Sequence, residues 1–155
     1  MGKLIWIGVR PARDLAMLAA DVAEVTLGRG LIGDRYGKVA PKSGVNSGKR
    51  ELSLIAAEAI STLARRLGVP DAYDLYPKTR RNLVVEGIAL NTLIGKRFFV
   101  GNVELEGTGE CEPCVRMNLA FGPSGFAAMQ GLGGLTARVI QPGILRLGDA
   151  LTHKL

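Results

Sequence analysis

The two cysteines of this 155-residue chain lie three positions apart, in Glu110-Cys111-Glu112-Pro113-Cys114-Val115-Arg116. Thiolate is the form of cysteine that attacks electrophiles and holds soft metals. Pro113 fixes its own φ and drives Glu112 toward extended geometry, so the chain carrying Cys114 has little freedom. The guanidinium of Arg116 favours thiolate over thiol at Cys114. Several chemistries compete for such a pair. C-x-x-C is half of a tetrahedral zinc site, but the sequence offers one histidine, His153, and no second cysteine pair, so carboxylates or another subunit would have to complete the shell. A thioredoxin-like redox pair normally opens a helix inside a β-α-β unit, a pattern not found here. Two small buried hydrophobes are the plainest alternative. With so few cysteines the thiols are expected to be reduced.

Two further windows could hold an anion. In Lys78-Thr79-Arg80-Arg81-Asn82-Leu83-Val84-Val85, three cations and an amide precede a β-prone run. Guanidinium forks there can clamp a phosphate or a pterin carbonyl, and the Asn82 amide can donate to and accept from a heterocycle edge. In Gly30-Leu31-Ile32-Gly33-Asp34-Arg35-Tyr36, the glycines permit close backbone approach, Asp34 can fix a turn or orient an arginine, and Arg35 adds an anion contact. Neither window is a dinucleotide fingerprint or a P-loop. A basic turn by itself is usually a solvated one. His153, near the C-terminal end of the sequence, reads as an exposed terminal side chain, and no Ser-His-Asp constellation can be built around it.

The elements that must position these residues are mostly strands. Short apolar runs broken by glycine, proline and asparagine indicate strands at Leu4–Val9, Val22–Leu27, Arg50–Ile55, Asn82–Glu86, Arg97–Val100, Val103–Gly107 and Leu135–Ile140. A last strand spans Gly143–Leu151, with a bend at Gly148-Asp149. Gly101-Asn102 is a two-residue hairpin turn between its neighbours. Val103 and Leu105 alternate with Glu104 and Glu106, so one face is core and the other wet. One helix is expected, Ala56–Leu67: Ala56, Ile60, Leu63, Ala64 and Leu67 recur at helical spacing, and Gly68 and Pro70 stop it. Pro11–Leu18 is ambiguous, and Gly37–Gly48 reads as a loop beside whatever is bound. The expected fold class is mainly β with a few helices (α+β), a barrel rather than a doubly wound sheet, in a single domain over residues 1–155 with one core.

Composition bounds the partners. Hydrophobic residues at 47% and charged ones at 22% are an ordinary globular balance. No apolar run reaches the ~18 to 20 residues of a membrane helix, and no secretory signal is visible, so the expectation is a cytoplasmic protein without a membrane partner. The net charge of +6 rests on thirteen arginines and seven lysines, and guanidinium suits bidentate phosphate recognition better than ammonium does. A basic β-barrel that binds nucleic acid is the alternative from another class. Single-strand binders stack bases on aromatic side chains, however, and aromatics are 5% here without basic-aromatic interleaving.

Taken in order, these windows resemble the MOSC domain, named for the C-terminal domain of eukaryotic molybdenum cofactor sulfurase. The matching pieces are Gly30 to Arg35, Arg50 to Leu54 with Glu58, Arg81 to Ile88, Leu93 to Gly95, Gly101 to Glu106, Gly109 to Cys114, and Gly143 to Asp149. The resemblance implies a β-barrel-like fold with a few helices, of the small stand-alone bacterial type. It implies a molybdenum-pterin cofactor, with Cys114 as the residue that carries sulfur or ligates molybdenum. Arg80, Arg81 and Asn82 match the part associated with the pterin and its phosphate. Arg35 and Arg116 then read as further anion contacts and Asp34 as an orienting group. The implied activity is either sulfur or cofactor carriage or, as an oxidoreductase, two-electron reduction of N-oxygenated substrates. An external electron donor or a cofactor-maturation protein would be the partner. Where the family's Gly-Asp-Arg motif is often followed by histidine, this sequence has Tyr36.

Overall fold

The computed structural model describes residues 2–12, 15–34, 50–111, 121–122 and 125–153, excepting the side chain of residue 126. The Gly37–Gly48 loop, Arg35, Cys114 and Arg116 lie outside the described residues.

Strand β1 (Gly2–Val9) pairs antiparallel with β6 (Leu83–Glu86), with Ile7 opposite Leu83. It also pairs with β2 (Leu18–Ala20), Ile7 opposite Ala20, and at its start with β11 (Ala150–Thr152), Gly2 opposite Leu151. From β6 the sheet continues through β5 (Leu52–Ala56), β9 (Leu135–Gln141), β8 (Val103–Glu110) and β7 (Arg97–Val100) to β11. The β11–β1 pairing closes seven strands into a barrel, and β2 extends one edge. The hairpin turns at Gly101-Asn102 as expected, with Val100 opposite Val103. A separate sheet runs in the order β10 (Gly143–Arg146), β3 (Val22–Thr26), β4 (Gly30–Leu31). The expected last strand is thus two strands in different sheets, because the positive φ of Gly148 turns the chain between them.

One local β-α-β unit does occur. β5 runs parallel to β6, Leu54 opposite Leu83, and α1 (Ala57–Leu67) lies in the crossover between them. Ile60, Leu63 and Ala64 face inward on α1, and Gly68 ends it in the left-handed region with its N–H directed to the Ala64 and Arg65 carbonyls. The expectation of one core is corrected by this helix. Leu4, Leu54, Leu83, Val85, Phe98, Leu105 and Leu135 fill the barrel, whereas Trp6, Ile55, Val84, Leu75 and Met129 pack with Ile60 and Leu63 in a second cluster. β1, β5 and β6 are therefore apolar on both faces, as strands covered on both sides must be. Burying Ile60 and Leu63 contributes about 1.5 to 3 kcal/mol each.

Short elements that the sequence does not announce complete the frame: 3-10 turns at Ala72–Leu75, Pro77–Thr79 and Leu90–Leu93, and a four-residue helix, α2 (Gly125–Ala128). No described helix is long and apolar enough to cross a membrane.

Candidate functional site

Two hydrogen-bonded sets, one around Asp34 and Asn82 and one around Arg81 and Cys111, adjoin through the Arg81-Asn82 peptide. This cluster forms beyond the ends of β1 and β8 and about the beginnings of β5, β6 and β9. Asn82 is buried, and its position ties three strands together. Its backbone carbonyl accepts from Gly8 N at 2.7 Å, and its side-chain Nδ2 donates to the Gly8 carbonyl at 3.1 Å. Its Oδ1 accepts from Ser53 N at 3.1 Å and from Ser53 Oγ at 3.4 Å, and its own N–H donates to Ser53 Oγ at 3.2 Å. Nδ2 also reaches Asp34 Oδ1 at 3.2 Å, and the same oxygen accepts from Arg10 N at 2.8 Å. Asp34 is 2% exposed, so its carboxylate is carried by these internal donors. Asp34 and Asn82 thus fix each other and the strand ends around them.

Arg81 faces inward. The sequence suggests an outward clamp at a cleft, yet the guanidinium is 4% exposed and donates to three carbonyls. These are Gly133 O from Nε at 2.8 Å, Thr79 O from Nη1 at 3.0 Å, and Cys111 O from Nη2 at 3.1 Å. Its neighbour Arg80 is half-buried and takes φ 62°, the left-handed conformation that costs a non-glycine residue about 1 to 2 kcal/mol. That turn ends the Pro77–Thr79 3-10 element and starts β6, so local geometry separates the environments of two adjacent arginines.

Cys111 is 2% exposed. Its N–H donates to Gly134 O at 2.9 Å, Arg81 holds its carbonyl, and Arg50 Nη2 donates to its Sγ at 3.3 Å. Arg50 itself is exposed, at the start of β5. Neither Arg50 nor Arg10 was singled out from the sequence. The signal available was position: Arg50 opens one of the windows quoted above, and Arg10 directly follows the first strand. The next residue, Glu51, is buried and accepts from Val139 N at 3.1 Å. Burial pushes its carboxyl above the ordinary carboxylate range, partly offset by that N–H and by Arg138.

His153 is half-buried rather than exposed. A cleft of about 450 Å³ opens beside the first turn of α1, where Glu58 accepts from Gly87 N at 2.9 Å; Gly134 lines it, but Asp34, Arg81, Asn82 and Cys111 do not. Among the described residues no group of three or more histidine, cysteine, aspartate or glutamate side chains could hold a metal ion.

Arg50 is an exposed residue and Arg80 a half-buried one, while the Asp34 carboxylate is bound within the protein. A closed seven-strand barrel with short helices defines the class of protein. Residues 24–152 match the MOSC domain, and the chain belongs to that family. The fold is similar to that of the YuaD protein from Bacillus subtilis, at TM-score 0.79 and 20% identity over 97% of this chain and 94% of that one. It is similar to YiiM from Escherichia coli, at 0.71 and 21% over 99% and 70%, and to YiiM from Geobacillus stearothermophilus, at 0.69 and 15% over 100% and 76%. No curated protein matches the sequence. The MOSC family is associated with molybdenum cofactor binding.

Proposed function

We propose that this domain holds a molybdenum-pterin cofactor, or sulfur destined for one, through the thiolate of Cys114. The observation that carries the reading is the state of the other sulfur. Cys111 is buried, and its N–H, carbonyl and Sγ are each engaged by Gly134, Arg81 and Arg50. Bringing Cys111 to a metal would break that packing, which favours Cys114 as the soft donor of the pair. Three peptide units link the two, so chain connectivity keeps their Cα atoms within about 11 Å and Cys114 within reach of the cluster.

The chain's own residues supply position and charge. Arg80 and Arg50, with Arg35 and Arg116, provide guanidinium contacts for phosphate, and a fork gives directional binding that an ammonium does not. Asn82 and Asp34 hold the strand ends that lie next to Arg50 and Arg80 in the sequence. Arg81 holds the strand end from which the cysteine segment departs. When bound, the cofactor supplies two-electron redox and oxygen-atom transfer, and a reduction of N-oxygenated substrates then requires an external electron donor. Sulfur or cofactor carriage uses the same thiolate without that donor.

Elemental analysis of protein expressed in a cofactor-producing host tests the reading. Stoichiometric molybdenum is the expected result. Stoichiometric zinc without molybdenum would overturn it, and turnover of hydroxylated amines with an artificial reductant separates an enzyme from a carrier.

A further inference from the structure

We infer that Arg81 is a positioning residue: its guanidinium clasps Cys111 to Gly133, the two residues between which Cys114 falls in the sequence. The role given to Cys114 above enters only in what the segment between them carries. β8 and β9 run antiparallel up to Glu110 opposite Leu135, and the Cys111 N–H to Gly134 O bond is their last rung. At that point one side chain from a third strand start reaches both arms, through Nη2 to Cys111 O and Nε to Gly133 O, while Nη1 returns to Thr79 O in its own turn.

Three features make this a device of geometry. Arg81 donates to three neutral carbonyls around one planar fork, a set that guanidinium matches and a single ammonium does not. The fork is 4% exposed, so water cannot replace its partners without local opening. The carbonyl that Arg81 holds belongs to the residue whose Sγ Arg50 covers, so Cys111 is fixed from two directions. Releasing the clasp frees the base of that segment. The buried Cys111 thiol then becomes accessible as the last rung opens.

The test uses the full chain, cofactor-free, with Cys111 and Cys114 alkylation followed separately by peptide mapping. In the native protein Cys111 is expected to be protected. Arg81→Lys keeps the charge but loses the fork, and should raise Cys111 alkylation at least about tenfold, since losing a charge-assisted hydrogen bond shifts a local opening equilibrium by that order. Amide exchange should rise at Cys111 and Gly134 while β1, β5 and β6 keep their protection. Arg81→Ala should behave alike and be rescued by ethylguanidinium but not by ethylammonium. Leu63→Ala, in the other core cluster, serves as a control of lowered melting temperature with Cys111 still protected. Protein from the cofactor-producing host should retain less molybdenum in Arg81→Lys than in that control. Full Cys111 protection in Arg81→Lys, rescue by ethylammonium, or loss of protection across the whole barrel in every Arg81 variant would each overturn the clasp. The alkylation and exchange measurements involve no molybdenum, so they stand or fall separately from the cofactor reading.

Discussion

Replacing Asn82 with alanine removes the amide that joins β1, β5 and the Asp34 turn. The deletion leaves Ser53 N–H and the Gly8 carbonyl without their side-chain partner and takes one donor from the buried Asp34 Oδ1. An orphaned buried polar group costs about 1 to 3 kcal/mol, so the loss should be about 2 to 5 kcal/mol. Ser53 Oγ still accepts from the backbone at position 82, which keeps the figure from being larger. With a urea slope of about 2 kcal/mol/M, the denaturation midpoint should fall by about 1 to 2.5 M. Asn82→Asp separates the amide's role from its volume. It sets a second carboxylate 3.2 Å from Asp34 Oδ1, in the place of Nδ2. Two such groups cannot both ionise cheaply, so the folded pair binds a proton that the unfolded chain releases near the ordinary aspartate value. Folding then takes up a proton, and stability falls as pH rises. The midpoint of Asn82→Asp should therefore drop between about pH 5 and about pH 8 by more than that of the native protein. An Asn82→Ala loss below about 0.5 kcal/mol, or an Asn82→Asp midpoint that runs parallel to the native one across that range, would refute the reasoning.

Glu51 makes a second pH-dependent prediction. Burial raises its folded pKa above the unfolded value, so its destabilising contribution is absent below the ordinary glutamate range and complete above the raised value. Glu51→Gln should flatten this decline in urea midpoint with rising pH, and an unchanged profile would count against the burial argument. Gly134→Ala should cost about 3 kcal/mol or more in thermal unfolding, because φ is 84° and a Cβ there would overlap the Leu54 carbonyl. Gly95→Ala, at φ 78° with open space around it, should lose only the conformational cost of about 1 to 2 kcal/mol. Equal losses at the two glycines would show that overlap at Gly134 is relieved by backbone movement.

What could be read in advance was whatever nearby residues determine. The α1 periodicity, its Gly68 stop and the Gly101-Asn102 turn depend on residues within a few positions, and each sits where the spacing indicates. β4, two residues long, and β2, three residues, carry too little pattern to be seen and exist because neighbouring strands pair with them. The second core cluster could not be separated from the first. Ile55 and Val84 lie on the outer face only because α1 covers it, and an apolar run reads the same whichever side is covered. At the site, the windows holding Asp34, Arg80, Arg81 and Asn82 were visible as types and spacings. The direction of each side chain was not. Arg81 turns inward to carbonyls 30 and 52 positions away, Asp34 meets Asn82 across 48, and Arg50 meets Cys111 across 61. Such pairings are set by barrel closure, which no local window contains.

The most direct test of the central claim compares the two cysteines in protein expressed in a cofactor-producing host. Cys114→Ser should fold and lose molybdenum, because a hydroxyl is a hard, weakly acidic ligand. Cys111→Ser should fold and keep most of it, since a serine Oγ can still accept from Arg50. The measurement is molybdenum per folded chain in the two variants and the native protein. Loss at Cys114 alone is the predicted result. Equal loss in both variants would indicate a paired-thiol site, and full retention in Cys114→Ser would contradict the account.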